Sequence, residues 1–209
     1  MIEISGNNHT YLVNIHCHRH KAKKIKNGFP ENNGYISIYA KDYQKLKNNA
    51  QLHWGKITGL SATGESVEAL PVAVSNKSVK EKSEGWLRTR PVLTYQFYTD
   101  SEASANIHLF TLPTHPINDN FGMRYGVSVD DAPVSVLDFK TVGRSDEWKQ
   151  AVLSNTIERS IKTPVLRAGQ HALKIYLIDP GVILDRILID LGGLKPFYGL
   201  IPETKFDKL

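Results

Sequence analysis

Residues 170–190 read QHALKIYLIDPGVILDRILID, and this stretch decides the fold. Each apolar half has the length of one strand and is rich in Ile and Leu. Asp179-Pro180-Gly181 between them is turn chemistry, because Pro presets φ and Gly tolerates conformations closed to other residues. The stretch therefore predicts a strand, a turn and a second strand that closes a sheet. Working outward, further short β-rich runs appear at Tyr35–Ala40, Ser66–Val74, Val92–Tyr98, Ala105–Leu112, Arg124–Val129 and Val134–Asp138. In Ala105–Leu112, Ile107, Leu109 and Thr111 face one way and His108, Phe110 and Leu112 the other. Asp130-Asp131-Ala132-Pro133 predicts a tight hairpin. Ser145 followed by Asp146 and Glu147 predicts a capped helix start, with Trp148, Ala151 and Val152 as the apolar stripe. Many short strands, one short helix and no βαβ alternation predict an all-β sandwich.

The chain has 209 residues, enough for one domain with a remnant of another. Apolar residues at 41% and charged residues at 22% exclude a wholly disordered chain. No apolar run approaches a membrane span. The single cysteine, Cys17, excludes an internal disulfide framework. The N-terminus lacks the basic start and cleavage site of a secretory signal, which read literally gives a cytoplasmic chain. Residues 1–28 hold five Lys/Arg against one acid, leaving 21 against 20 elsewhere. The basic charge is thus confined to a leading segment, and the body lacks the basic face of a nucleic-acid binder. In that segment Tyr11–Cys17 predicts one strand, and residues 18–33 (HRHKAKKIKNGFPENN) predict a basic linker. One strand cannot stand alone. Residues 1–33 are therefore expected to be the end of a preceding domain plus linker, and residues 34–209 the sandwich domain, its body ending near residue 196.

The apolar strand after Gly169-Gln170-His171, the turn and the closing strand together resemble jelly-roll sandwiches related to galactose-binding domains. Several ordered motifs sharpen the resemblance. FPENNGYISIYAKDY (29–43), WGKITGLSATGESVEALP (54–71), GMRYGVSVDDAP (122–133), EWKQAVLSNT (147–156) and HALKIYLIDPGVILDRILIDLGGLKPFYG (171–199) resemble the C-terminal β-sandwich domain of glycoside hydrolase family 115, the xylan α-1,2-glucuronidases. The resemblance covers about residues 29–203. It implies a jelly-roll fold in large, usually exported enzymes whose catalytic carboxylates lie in an upstream barrel-type domain. Such a barrel needs about 250 residues, so this chain is expected to have no turnover of its own. The implied partners are a catalytic domain or an identical subunit, together with xylan-type polysaccharide, and no nucleic acid or membrane.

The chain also departs from similar domains. Carbohydrate-binding modules of families 6 and 35 usually open with an acidic strand whose carboxylates hold a structural calcium. Here Tyr39 and Lys41 stand at those acidic positions. Calcium needs several oxygen ligands, so no calcium or other cofactor is expected. The Ser61-Ala62-Thr63-Gly64 stretch lacks the Gly-Arg often found before the Thr.

His16, His18 and His20 at i, i+2, i+4 share one strand face and have ligand types that suit zinc, but a polar edge running into the linker is the expected reading and no metal site is assigned. Glycoside hydrolysis needs two carboxylates set across a sugar, but Asp130, Asp131 and Asp179 sit in turns that favour Asp for backbone reasons. No catalytic elbow, phosphate loop or dinucleotide fingerprint is present. Sugar binding needs exposed aromatic faces and polar groups for hydroxyls. Trp54 follows a polar stretch and Trp86 lies in a charged loop (KEKSEGWLRTR), so these two are expected to be exposed. Arg88 and Arg90 flank Trp86 and suit a uronic carboxylate. Tyr125 completes the candidate carbohydrate set, whereas Trp148 is expected in the core. The leading function is a non-catalytic accessory domain that packs in a larger enzyme or dimer. The alternative is a free-standing carbohydrate-binding module for glucuronoxylan-like polysaccharide.

Overall fold

The computed structural model describes residues 2–6, 9–13, 28–73, 85–197 and 199–205. Its strands are β1 (Ile2–Gly6), β2 (His9–Val13), β3 (Phe29–Pro30), β4 (Tyr35–Tyr39), β5 (Lys45–Lys47), β6 (His53–Thr58), β7 (Glu65–Leu70), β8 (Val92–Thr99), β9 (Ala103–Thr111), β10 (Arg124–Val129), β11 (Ser135–Asp138), β12 (Ile157–Leu166), β13 (Gly169–Leu177) and β14 (Ile183–Asp190). Among the described residues one α-helix, α1 (Asp146–Ser154), lies between β11 and β12. The first sheet of the sandwich runs β11-β10-β13-β8-β3, with β5 also on β8; the second runs β12-β9-β14-β7-β6, with β4 also on β14.

Alternation builds both layers. Along β8, Leu93, Tyr95 and Phe97 are buried while Thr94, Gln96 and Tyr98 stand on the outer face. β13 repeats this with Leu173, Ile175 and Leu177 inside. From the second sheet Ile36, Ile38, Ile107, Leu109, Ile187 and Ile189 meet them in one core. Fully burying each such aliphatic side chain contributes about 1.5–3 kcal/mol, which is what holds two twisted sheets face to face. The buried Tyr95 and Tyr125 hydroxyls donate to the Ala40 and Val182 carbonyls, both at 2.6 Å. Burial raises both phenol pKa values well above the ordinary range, so neither titrates at neutral pH.

The jelly-roll expectation holds, with local corrections. The strand–turn–strand at residues 170–190 does not pair with itself: β13 lies in the first sheet and β14 in the second. The Asp179-Pro180-Gly181 turn is therefore a crossing between layers. Five strands escaped the sequence reading: β1, β3, β5, β6 and the ten-residue β12. β12 pairs with β9 and is mostly outward-facing, with a register shift between Lys162 and Val165, so its apolar alternation is weak. The sandwich begins at Phe29, ahead of the boundary expected at Gly34. Phe29 is in the core and β3 pairs in parallel with β8. Asn33 and Gly34 form the two-residue turn into β4, both with positive φ (52° and 81°), flanked by mutual Asn32–Tyr35 backbone bonds. The leading strand is not unpaired either. β2 pairs with β1 in a two-stranded hairpin separate from the sandwich sheets. Residues 14–17 of the run expected as one strand lie outside the described residues, as do His16, His18, His20 and Cys17.

At the other terminus, residues 201–204 seal the edge of β4 that faces away from β14. Thr204 N donates to the Ser37 carbonyl at 2.9 Å, Ser37 N to Thr204 Oγ1 at 3.2 Å, and Tyr39 N to Glu203 Oε1 at 2.8 Å. An open strand edge is thereby satisfied by the chain's own tail. The helix forms as expected. Ser145 Oγ accepts from Trp148 N at 3.1 Å, two acids fill the first turn, and Ala151 is the buried residue.

Candidate functional site

The five residues singled out for sugar contact do not gather into one site. Trp54 is only 5% exposed and packs its ring 5.2 Å from that of Tyr125, which is itself fully buried. β6 turns Trp54 into the core, although the polar residues before it suggested exposure. Arg90 is buried as well. Its Nε donates to the Leu177 carbonyl at 3.0 Å and its Nη2 to the Ile178 carbonyl at 2.6 Å. The Arg90 guanidinium lies 5.3 Å from the Trp86 ring centre, so it clamps the short 3-10 helix Trp86–Thr89 onto the end of β13. Trp54, Tyr125 and Arg90 therefore act in structure, where their rings and guanidinium cannot reach a ligand. Trp86 remains half-buried and Arg88 exposed. Trp148, expected in the core, is half-exposed and stacks on His115 at 6.1 Å.

The carboxylates are engaged too. Asp179 is fully buried and receives Arg124 through the backbone N at 3.0 Å, Nε at 2.7 Å and Nη2 at 3.2 Å. Asp130 Oδ2 lies 2.8 Å from His171 Nδ1, and Asp130 Oδ1 accepts from Ala172 N at 2.9 Å. These contacts are those of turn anchors, as the sequence suggested. Around Lys41, which replaces an expected acid, Lys41 Nζ lies 3.7 Å from Glu65, while on β14 Asp185 accepts from Thr63 Oγ1 and Arg186 Nη1, each at 2.7 Å. Two cations already occupy the carboxylates, so this residue set does not fit a calcium ion. Thr63, whose loop departs from the related pattern, thus ties the β6–β7 hairpin to β14.

A different surface stands out. On the outer face of the first sheet, Gln44, Lys45, Gln96, Asp130, Gln170, His171 and Ala172 line an open groove of about 500 Å³. Its frame is fixed by hydrogen bonds. Gln44 Oε1 accepts from Gln96 N at 2.6 Å, and Gln44 Nε2 donates to the Asp42 carbonyl at 3.0 Å. Gln170 Nε2 donates to Gln96 Oε1 at 3.2 Å, bridging β13 and β8. His171 Nε2 lies 2.7 Å from the Arg167 carbonyl, and Lys174 Nζ donates to the Asp130 carbonyl at 2.7 Å. Sequence reasoning missed this groove. Alternation would have put Gln96 and Gln170 on the outer face, but their adjacency depends on the register of strands more than seventy residues apart.

A second surface is apolar. Val142 is 75% exposed, Leu153 79% and Val152 46%, all on or beside α1 with Trp148. Leu153 points away from buried Ala151, so the helix carries apolar residues on its solvent side.

Comparison with known proteins agrees with this architecture. The family model for the glycosyl hydrolase family 115 C-terminal domain matches residues 28–203. Among solved structures, a family GH115 4-O-methyl-alpha-glucuronidase with specificity for decorated arabinogalactans is 29% identical, with a TM-score of 0.51, over 70% of this chain and 17% of that one. The chain thus spans about a sixth of that enzyme. A family 35 carbohydrate-binding module from Clostridium thermocellum is 14% identical over 74% of this chain and 97% of that one, with a TM-score of 0.48. A GH26-CBM35 mannanase from Podospora anserina is 13% identical over 79% of this chain and 29% of that one, with a TM-score of 0.49. No curated protein matches the chain. The match across residues 28–203, from core Phe29 to the tail that seals β4, means that this chain belongs to the glycosyl hydrolase family 115 C-terminal domain family.

Proposed function

We propose that the chain is a non-catalytic accessory domain that docks against the remainder of a family 115 glycoside hydrolase. The observation that carries this reading is the apolar surface at α1, where Val142 and Leu153 are more than 70% exposed. Several large apolar side chains gathered on one short helix and the turn before it are what a covering surface elsewhere in a larger enzyme would bury. The 29% identical enzyme extends well beyond the region this chain matches, which supplies an occupant for that surface. The test is light scattering of the isolated chain over a concentration series, beside the double variant V142K/L153K. The wild type is expected to self-associate through the uncovered surface, and the variant to stay monomeric with an unchanged circular dichroism spectrum. A wild-type chain that remains monomeric and as soluble as the variant would remove the basis for docking.

A second reading, carbohydrate binding, is favoured by the polar groove on the first sheet. The similar glucuronidase is named for decorated arabinogalactans rather than xylan. Affinity electrophoresis should therefore compare glucuronoxylan, arabinogalactan and a plain gel. Retardation in either polysaccharide supports this reading, and equal mobility in all three gels rejects it.

A further inference from the structure

We propose that the groove lined by Gln44, Lys45, Gln96, Gln170 and Ala172 is the saccharide site, and that its ligand is an uncharged, hydroxyl-rich glycan main chain. This inference rests on the carbohydrate-binding reading and adds the place and the ligand class.

The fold leaves few of the groove's polar groups available. Asp130 is consumed by His171 and the Ala172 backbone N–H, Lys174 by the Asp130 carbonyl, and Gln44 by two backbone groups. Among the described residues, three groove groups have no protein partner: Lys45 Nζ, Gln96 Nε2 and Gln170 Oε1. They offer two donors and one acceptor on a rigid floor. A sugar hydroxyl is both donor and acceptor, so a row of them satisfies carboxamide and ammonium together. The shared Gln170–Gln96 bond holds both amide planes, which lowers the entropic cost of fixing them on a ligand.

The other ligand classes fit less well. One uncommitted ammonium in a groove that also holds the Asp130 carboxylate is a poor match for a phosphate or polyanion, which needs several cations. An apolar ligand would bury the amides without hydrogen-bond partners, which is unfavourable. Ala172 keeps the middle of the floor low, so a pyranose ring can lie on the sheet. Tyr98 is the register partner of Gln170 and stands on the same outer face, where its ring can meet an apolar sugar face. A volume of about 500 Å³ lies within the range of small-ligand sites and accommodates two or three sugar units.

The test is a ¹⁵N–¹H titration of the full chain with neutral β-1,4-xylo-oligosaccharides and β-1,3-galacto-oligosaccharides and, in parallel, with uronate-bearing xylo-oligosaccharides, repeated on Q96A/Q170A. Both residues are on the surface, and Trp fluorescence checks that the variant folds. The expected result is saturable shifts at Gln44, Lys45, Gln96, Gln170 and Ala172 with at least one neutral series, and about tenfold weaker binding in the variant. Saturable shifts confined to Trp86 and Arg88, with unchanged affinity in the variant, would overturn the groove while leaving carbohydrate binding intact. Binding at the groove only by uronate-bearing fragments would overturn the ligand class. No saturable shift with neutral or acidic oligosaccharides would overturn both the inference and the reading beneath it.

Discussion

Trp54 separates a core residue from a sugar platform, and its substitutions have opposite expected sizes. The ring is almost fully buried against Tyr125, and its Nε1 is a buried donor with no partner among the described residues. Trp54→Ala removes the whole indole, and large aromatic truncations in cores cost about 3–5 kcal/mol. For a chain of this size that lowers Tm by about 6–20 °C. Trp54→Phe is different. It gives up about 40 Å² of buried apolar area, or about 1 kcal/mol. It leaves a cavity of about 35 Å³, adding about 0.8 kcal/mol. It also deletes the orphaned N–H, whose burial costs about 1–3 kcal/mol. The terms oppose, so Trp54→Phe should lie within about 1 kcal/mol of wild type by the same accounting. The assay is urea unfolding followed by far-ultraviolet circular dichroism, because fluorescence would report the mutated ring itself. Polysaccharide mobility should be unchanged in Trp54→Phe. The reasoning fails if Trp54→Ala costs less than about 1 kcal/mol, which no buried indole permits. It fails equally if Trp54→Phe keeps full stability but loses polysaccharide retardation.

Three further outcomes follow from named contacts. The His108 imidazole is held above its ordinary pKa by its 2.6 Å bond to Glu158, and Glu158 is held below its own by the same bond. Raised His108 contributes stability that is full below its unfolded pKa and is lost as pH rises through the folded value. Lowered Glu158 contributes stability that is present above its unfolded pKa and is lost as pH falls through its folded value. The pair therefore acts most between about pH 4.5 and 6.5, with a worth below about 1 kcal/mol because Glu158 is half-exposed. In a histidine-detected titration, Glu158→Gln should move the His108 midpoint downward, and an unmoved midpoint would refute the pairing. Asp179→Ala strips Arg124 of three hydrogen bonds at the layer crossing and should cost about 2–3 kcal/mol in urea, below the usual range for a broken buried pair because Arg124 can reach water. A loss under about 0.5 kcal/mol would class it with ordinary surface pairs. Gly193→Ala would drive a Cβ into the Asn33 carbonyl oxygen, since Gly193 packs directly against the Asn33-Gly34 turn. It should cost more than about 1 kcal/mol, whereas Gly143→Ala, with open space around it, should be near neutral on thermal melts.

The sequence was most legible where one residue pattern has one structural meaning. The alternation of β8, β9 and β13 announced two-faced strands, and Ser145 before two acids announced α1. Short strands left fainter traces. β3 is two residues long and β5 three, too few to show any period. β12 is long but has only one strongly buried position among its first six residues, because its outer face looks to solvent. Its existence depends on β9 offering an edge, which is information carried some fifty residues upstream. The same limit explains the two-layer crossing at Asp179-Pro180-Gly181. A turn signal reports that the chain reverses, but not which sheet receives it.

Functional legibility failed for a related reason. Exposure of an aromatic residue is set by what the partner strand covers, and neighbouring polarity is a poor guide to that. Trp54 follows a run of polar residues and is buried; Trp148 lies on an apolar stripe and is half-exposed. Arg90 looked like a ligand for an acid but spends its donors on two carbonyls at the strand end. The groove shows the converse. Glutamines at 44, 96 and 170 carry no motif, and each alone reads as solvated surface. Register makes them a set: Gln96 lies opposite Ala172, one step from Gln170, and the Gln44 amide caps the Gln96 backbone. Sites of this kind are created by pairing between distant strands. They become visible only when the free donors and acceptors that the fold has not already consumed are counted on its surface.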